Sequence, residues 1–208
     1  IIRERRVTGV SNEQLMRLSE TGSFPGQFED KLFFSGPISA LPNSDGTVWI
    51  TAYNSNQLLK ININGLIIDR ITGPLTGFDR PLDIVRMSDG NLLVSESAGN
   101  RLSLLDKKGH FIKHIGCRGR DVGQMVGPQY IALDSMDRIF VTDIGNRRVD
   151  VFDKDGNGLF FFGNKTSNFE GLKYPTGIAI NRDSVYVADE STGCIYEFDL
   201  SGNFIQNL

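Results

Sequence analysis

A unit of about 46 residues occurs four times in this chain of 208 residues, and it constrains the fold more than any other feature. Each copy contains a short apolar run that ends on a small or acidic residue. The four end residues are Ala52, Glu96, Asp143 and Asp189, which lie 44, 47 and 46 residues apart. Because internal repetition at such a period is typical of stacked structural units, we expect a single repeat architecture.

Three further landmark residues lie at nearly constant distances in sequence from the end residue of each unit. A proline lies 15 positions before it in three units and 14 positions before it in the fourth: Pro37, Pro81, Pro128 and Pro175. An Asn or Asp lies ten positions after it: Asn62, Asp106, Asp153 and Asp199. A glycine lies thirteen positions after it: Gly65, Gly109, Gly156 and Gly202. The displaced Pro175 indicates a shorter turn at residues 181–184.

Each unit is expected to contain four short strands separated by polar turns. The Gly that follows the third strand favours a tight hairpin, because Gly adopts positive φ without steric cost. The second strands contain consecutive apolar residues, as in Ile139–Val141 and Val185–Val187. Neighbouring residues of a strand point to opposite faces, so such runs predict that both faces are covered. Four-stranded sheets stacked around an axis meet this requirement, and the sequence therefore predicts a β-propeller.

The third unit resembles the NHL repeat in the segments Pro128–Asp134, Val141–Asp143, Gly145–Val149 and Val151–Asp153. The resemblance covers about residues 24–208. It implies an all-β, NHL-type propeller region across residues 1–208, and it implies six blades in a complete propeller. We expect a partial blade at residues 1–36 and four complete blades at about 37–73, 74–120, 121–167 and 168–208.

The first 36 residues allow two interpretations. Residues 14–28 resemble a fourth strand and its connection, whereas Ser11 to Glu20 also fits a capped helix, since Ser11 and Gln14 form a capping-box pattern. The start at Ile1 and the charged residues 1–7 do not resemble a signal peptide, so we expect a longer parent chain with other domains. No compartment is indicated, and no apolar stretch approaches the roughly 20 residues of a membrane span.

The residues disfavour three kinds of chemistry: a disulfide framework, a calcium loop and a set of catalytic carboxylates. Cys117 and Cys194 occupy non-equivalent positions, which predicts two unpaired thiols rather than a disulfide framework. Three residues form half of a calcium loop: Asp153, Asp155 and Asn157. Asn164 stands where the second half requires Glu, so a hairpin turn is the better interpretation. The strand-end acids, such as Asp143, are expected to accept hydrogen bonds from turn N–H groups rather than to act as catalytic carboxylates.

Enzyme activity is not predicted for these residues. Propeller lactonases and amidating lyases gather His, Glu, Asn or Asp at the central axis, whereas His110 and His114 belong to one outer strand and are expected to face solvent. No cofactor is indicated. A lactonase-like hydrolase with its site in other blades stays open as an alternative.

The connections between blades share one face of a propeller with the turns between second and third strands. This face, termed the loop face below, is expected to hold the ligand. Its candidate residues are Tyr53, Arg101, Arg118, Arg120, Arg147, Arg148 and Glu190. Because Arg binds carboxylate and phosphate groups with two parallel hydrogen bonds, the arginines point to an anionic ligand. Arg101 and either Arg147 or Arg148 also fit the NHL pattern, in which such an arginine has a structural role.

The favoured function is a non-catalytic module that binds a protein partner. RNA binding, known for animal NHL proteins, is the alternative that the arginines support. The formal net charge of −3 and the pI near 5.4 disfavour it, because a nucleic-acid binder usually carries a basic surface.

Overall fold

A computed structural model describes residues 35–62, 64, 66–71 and 73–208. Within these residues each repeat forms one antiparallel sheet whose four strands pair in chain order. The strands of the first two sheets are β1 (Pro37–Pro42), β2 (Val48–Ala52), β3 (Gln57–Ile61), β4 (Ile67–Ile71), β5 (Pro81–Arg86), β6 (Leu92–Glu96), β7 (Arg101–Leu105) and β8 (Phe111–Ile115).

A two-residue parallel ladder joins β9 (Cys117–Arg118) to β10 (Gln124–Met125) in the connection to the third sheet. The remaining strands are β11 (Pro128–Leu133), β12 (Ile139–Asp143), β13 (Arg148–Phe152), β14 (Gly158–Phe162), β15 (Pro175–Ile180), β16 (Ser184–Asp189), β17 (Cys194–Asp199) and β18 (Phe204–Asn207). One turn of 3-10 helix follows β2 at Tyr53–Ser55. No helix in the described part of the chain is long and apolar enough to cross a membrane.

The landmark residues that repeat in the sequence also pair with one another in the sheets. The proline that opens each first strand pairs with the end residue of the second strand, as in Pro128 with Asp143 and Pro175 with Asp189. The first strands β1, β5, β11 and β15 contact their neighbours in turn. The fourth sheet keeps the Pro–Asp pair with one residue fewer, because its first turn closes with a hydrogen bond from Asn181 N to Ser184 O. The predicted all-β propeller fold is confirmed.

The hydrophobic core consists of three layers, each between two adjacent sheets. The first layer includes Trp49 and Leu92, the second includes Leu93 and Phe152, and the third contains Phe140 and Phe198. Every residue of β6, β12 and β13 is buried. These strands belong to sheets that have a neighbour on both sides, so their consecutive apolar residues are covered as predicted.

The fourth sheet departs from that expectation. Burial along β16 alternates, and Tyr186 is half-buried between the buried Val185 and Val187. The third sheet covers one face of the fourth sheet, and no described residue packs as a further sheet on the other face. The prediction that both faces are covered is therefore wrong for Val185–Val187 within the described residues.

In the second, third and fourth sheets, the repeated glycine of the third hairpin packs closely against the preceding sheet. A Cβ placed on Gly156, whose φ is +86°, would lie 2.6 Å from Ile115 of β8. A Cβ on Gly202, whose φ is +84°, would lie 2.5 Å from Phe162 of β14. The glycine therefore allows both the left-handed turn and the close contact between blades. The predicted partial blade at residues 1–36 lies outside the described residues, apart from Ser35 and Gly36, as does the alternative helix at 11–20.

Candidate binding face

The acids that end the second strands accept hydrogen bonds from the backbone of the loop face. Asp189 accepts hydrogen bonds from the N–H groups of Lys173 and Tyr174 at 2.6 and 3.0 Å, and from those of Ser191 and Thr192 at 3.1 and 3.2 Å. One carboxylate thus joins the connection that precedes β15 to the turn between β16 and β17. The hydrogen bonds expected from the sequence are present, and they occupy the oxygens that a catalytic role would need.

Asp143 and Glu96 make the same kind of link in the third and second sheets. Asp143 accepts the Val126 N–H at 2.9 Å and the Asn146 N–H at 3.1 Å. Glu96 accepts the Asp79 N–H at 2.7 Å and is completely buried. Asp143 therefore holds the incoming connection against the turn that follows its own strand, whereas Glu96 joins the incoming connection to the side chains of Arg101 and Ser103 in β7.

Arg148 lies inside the protein and is not available to a ligand. It is 3 % exposed, and its guanidinium donates to three carbonyl oxygens of the preceding connection: Arg120 O at 2.6 Å, Asp121 O at 3.0 Å and Gln124 O at 2.8 Å. Its Nε also donates to Asp150 at 3.2 Å, and the guanidinium lies 3.9 Å from the Phe161 ring centroid. The prediction that Arg148 contacts a ligand is therefore wrong, because burial and these five contacts give Arg148 a structural role.

Arg101 is the equivalent of Arg148 in the second sheet, because each pairs across the ladder with the acid at the end of the second strand. Its guanidinium donates to Glu96 at 3.1 and 3.3 Å. The Arg101 side chain is 23 % exposed and the Glu96 side chain is buried. Arg101 thus neutralises a buried carboxylate, which leaves little of its hydrogen-bonding capacity for a partner.

The connection at residues 116–125, called the Arg loop here, presents Arg118 and Arg120 on a fixed backbone. The β9–β10 ladder closes the loop, and the Gln124 side chain accepts the backbone N–H groups of Arg120 and Asp121 at 3.1 Å each. Both arginine side chains are exposed and make no hydrogen bond or ion pair within the described residues. The bonds from Arg148 hold this loop from below, so its geometry is set before any ligand arrives.

Arg147 adopts a conformation that is unfavourable for its residue type. Its φ is +56°, and the residues at the same repeat position are Asn56, Asn100 and Gly193, which tolerate the left-handed region better. An ordinary L-residue there costs about 1–2 kcal/mol. The Arg147 side chain is exposed and has no hydrogen-bond or charge partner in the described residues.

The asparagines at this repeat position accept a hydrogen bond that Arg147 cannot accept. Asn56 Oδ1 accepts the Arg80 N–H at 2.9 Å, and Asn100 Oδ1 accepts the Gly127 N–H at 3.1 Å. Each bond ties a second-strand turn to the next sheet. A guanidinium has no acceptor, so the third sheet lacks this bond and shows a charged side chain instead.

Arg120 and Arg147 meet at one cavity of about 400 Å³ on the loop face. Its other lining residues are Gly145, Asn146, Arg148, Phe161 and Asn164. The backbone of Arg118 lies nearby, because Asn146 Nδ2 donates to Gly119 O at 2.9 Å. The cavity lining contains three arginines and no carboxylate.

Tyr53 and Glu190 lie elsewhere on the molecule. The Tyr53 ring contacts Arg80, whose guanidinium carbon is 5.4 Å from the ring centroid. Glu190 is exposed and lines a larger cavity of about 600 Å³. This cavity also contacts the residue after the proline of each first strand, namely Ile38, Leu82, Gln129 and Thr176. The seven predicted ligand residues therefore do not form a single site.

The calcium candidates form a hairpin turn. Asp153 Oδ1 accepts the N–H groups of Asp155 and Asn157 at 2.9 and 2.8 Å, and its Oδ2 accepts Asn157 Nδ2 at 2.8 Å. Asp106 and Asp199 make equivalent turn bonds. The interpretation as a repeated turn is confirmed by these bonds. Among the described residues no three His, Cys, Asp or Glu side chains gather in a metal-binding arrangement.

The histidines differ in environment. The side chain of His110 is 71 % exposed and lies 2.9 Å from Asp106, whereas that of His114 is 30 % exposed and packs against Ser103 at 3.2 Å. Desolvation and the nearby Arg101 lower the pKa of His114. The expectation that both histidines face solvent holds for His110 and is wrong for His114. Cys117 and Cys194 are both free thiols, as predicted.

Asp150 is a buried acid whose pKa is strongly raised. Burial and the neighbouring Asp143 raise the pKa of Asp150 to about 8, although the Arg148 guanidinium works in the opposite direction. Ser103 occupies the same repeat position in the second sheet, where its hydroxyl donates to Glu96. A protonated Asp150 would donate to Asp143 in the same way. The sequence itself points to this residue, because an alignment of the repeats places Asp150 at the position that Ser103 occupies in the second repeat.

Comparison with known proteins supports the fold and the repeat type. No family model matches the chain. It is 32 % identical over 89 residues to protein brain tumor of Drosophila melanogaster, which is 41 % of this chain and 9 % of that protein. It is 28 % identical over 113 residues to NHL repeat-containing protein 3 of Homo sapiens, which is 53 % of this chain and 32 % of that protein.

A solved structure of virginiamycin B lyase from Staphylococcus aureus superimposes with a TM-score of 0.68 at 21 % identity, covering 88 % of this chain and 60 % of the lyase. At that identity the likeness concerns the fold alone. The chain spans less than a third of the length of either curated relative. The repeat landmarks, the four-stranded sheets and these similarities together support an NHL-repeat β-propeller.

Proposed function

We propose that this chain is a binding module that engages a protein partner through its loop face. The observation that carries the proposal is the Arg loop, whose backbone is fixed by buried Arg148. Arg118 and Arg120 of this loop are exposed and have no side-chain partner in the part of the chain that the structure describes. A rigid loop loses little conformational entropy on binding, so its contacts contribute more fully to affinity. Arginine is also enriched among the residues that contribute most to protein interfaces.

A catalytic function has less support from the same residues. The strand-end acids that recur around the propeller are occupied by backbone N–H groups, as Asp189 illustrates with four such bonds. Fold likeness to a lyase is a weak argument for lyase activity, because one fold supports many functions. The binding role needs no residue beyond those that the loop face presents.

RNA is the second candidate ligand, and the three unpartnered arginines favour it. Phosphate groups bind arginine as carboxylates do, and such binding weakens steeply with salt. The charge of the whole chain, −3, works against binding to a polyanion.

The test selects a displayed library of random 12-residue peptides on the chain, with counter-selection on the Arg118→Ala/Arg120→Ala variant. The matched control is Lys107→Ala/Lys108→Ala, which removes the same charge from an exposed turn at the opposite end of the strands. Mixed single-stranded RNA is titrated in parallel at low and moderate salt. We expect peptides that bind the wild type and the control but not the arginine variant. Salt-sensitive RNA binding without any such peptide would assign the loop face to RNA, and failure of both ligands would contradict the proposal.

A further inference from the structure

The cavity between the Arg loop and the turn after β12 has a lining suited to a single anionic group. It has a volume of about 400 Å³, and its lining includes Arg120 and Arg147. Both side chains are exposed and make no hydrogen bond or ion pair within the described residues. The third arginine, Arg148, already donates to three carbonyl oxygens and to Asp150. Two arginines therefore remain available to bind a ligand at this point.

Arg147 gives independent evidence that the cavity has a use. The other three repeats place Asn or Gly at its position, and two of them use the Asn side chain to tie neighbouring sheets together. Arg147 keeps the left-handed backbone, lacks that bond and makes no side-chain hydrogen bond or ion pair within the described residues. A strained residue without internal compensation points to a role in ligand binding.

The remaining lining residues fix the site and limit what it accepts. Asn146 Nδ2 donates to Gly119 O and to Asp143 Oδ2, at 2.9 and 2.7 Å, which holds the turn against the Arg loop. The guanidinium of Arg148 covers one face of Phe161 at 3.9 Å. That face of Phe161, the aromatic residue of the lining, is therefore not available to stack on a nucleobase, and stacking is a main source of affinity for single-stranded nucleic acid.

We propose that this cavity binds the side-chain carboxylate of an acidic residue in the protein partner, held between Arg120 and Arg147. The inference rests on the proposed function and narrows it to one anchoring contact. Arg120 reaches the cavity from the Arg loop and Arg147 from the turn before β13, so the carboxylate joins two separate segments. A planar guanidinium can donate two parallel hydrogen bonds to a carboxylate, which gives the contact directional selectivity.

The test is an NMR titration of the ¹⁵N-labelled chain with N-acetylglutamate α-methylamide, a single acidic residue flanked by peptide groups. Its uncharged twin is N-acetylglutamine α-methylamide. Dimethyl phosphate, which carries one charge as a nucleic-acid phosphodiester does, is the third probe. We expect the acidic probe to shift the resonances of Arg147 and Asn164 at millimolar concentration, and the uncharged twin to leave them in place.

The decisive variant is Arg147→Asn, which introduces the residue found at the same position in two other repeats. Because Asn tolerates this backbone conformation better, the variant is expected to fold at least as well as the wild type. Its affinity for the acidic probe should fall at least about tenfold, the effect of losing charge-assisted hydrogen bonds. The control Arg182→Ala removes an exposed arginine from the first turn of the fourth sheet and should bind normally.

Three results would overturn the inference: equal shifts with the uncharged twin, unchanged affinity in Arg147→Asn, or tighter binding of dimethyl phosphate than of the acidic probe. The last result would indicate a phosphodiester ligand. Because the probe is a single residue, the outcome does not depend on the peptide library. Failure here combined with selected peptides that need Arg118 and Arg120 would leave the proposed function intact and remove only this cavity from it.

Discussion

At the scale of single residues, the loop face separates arginines that build the structure from arginines that are free to bind. Arg101 and Arg148 occupy equivalent positions in the ladder, and both are committed to buried carboxylates or loop carbonyls. Arg147 is next to Arg148 in the chain, yet it is exposed and strained. Two adjacent positions of the repeat therefore differ in role: an arginine at one is structural, and an arginine at the other is available to bind a ligand.

Replacing Arg147 by Asn should stabilise the chain while removing a ligand contact. Asn is favoured at φ near +56°, so we expect the free energy of unfolding to rise by about 0.5–1 kcal/mol. Urea denaturation of the wild type and of the variant measures the difference. A loss of stability would show that the Arg147 side chain contributes contacts that the structure does not contain.

Asp150 should make stability depend on pH in a direction opposite to that of most acids. Its pKa is raised to about 8 in the folded chain, whereas an unfolded Asp titrates near 4. The folded state therefore holds a proton that the unfolded state releases, and stability should fall as pH rises from about 4 to 8. The contribution is present in full below pH 4 and is lost by pH 8.

The variant Asp150→Asn isolates this contribution, because an amide mimics the protonated acid and can donate to Asp143. We expect the variant to exceed the wild type by on the order of 1–3 kcal/mol at pH 8, and by much less at pH 4. Chemical denaturation at both pH values provides the test. A variant that loses stability equally at both would show that Asp150 is ionised and paired with Arg148.

At the scale of the elements, the sequence predicts best those residues whose role is set by the backbone. Pro128, Asp143 and Gly156 mark a strand start, a strand end and a hairpin, and their spacing alone gives the four-stranded unit. The spacing does not reveal that Arg148 is buried and Arg147 is exposed, because both residues belong to one run of polar residues. That difference depends on the ladder register, which pairs Arg148 and not Arg147 with Asp143. Burial on both faces likewise depends on neighbouring sheets, which is why Tyr186 departs from the expectation.

The Arg loop should lose its order when Arg148 is replaced by Met. The substitution leaves three carbonyl oxygens of the loop and the buried Asp150 without their donor. Removing one partner of a buried charged network costs about 3–5 kcal/mol. Hydrogen exchange of residues 119–125 should accelerate more than exchange in β6 of the neighbouring sheet. Equal acceleration in both places would indicate general destabilisation rather than release of the loop.

At the scale of the whole molecule, stability depends on contacts between sheets rather than on one central core. Each of the three apolar layers joins two neighbouring sheets, and the hairpin glycines bring those sheets into close contact. Such an arrangement behaves as a row of units coupled through their interfaces. It also provides a rigid support on which the loop face can present its arginines.

The glycine contacts predict a difference between two otherwise similar substitutions. Gly156 and Gly193 both have positive φ, but a Cβ on Gly156 would lie 2.6 Å from Ile115, whereas one on Gly193 meets nothing within 4 Å. We expect Gly193→Ala to cost about 1 kcal/mol through backbone strain, and Gly156→Ala to cost about 1–3 kcal/mol more through overpacking. Thermal denaturation of both variants measures the two costs. Equal losses would argue against the role of this glycine in packing the blades.

We propose that the loop face binds a protein partner through arginines presented on a fixed loop. The most direct test is the dissociation constant of one library-selected peptide, measured by fluorescence anisotropy for three proteins at constant salt. We expect similar values for the wild type and Lys107→Ala/Lys108→Ala, and a value at least about tenfold weaker for Arg118→Ala/Arg120→Ala. Equal affinity for all three proteins would contradict it, because the peptide would then bind away from the Arg loop.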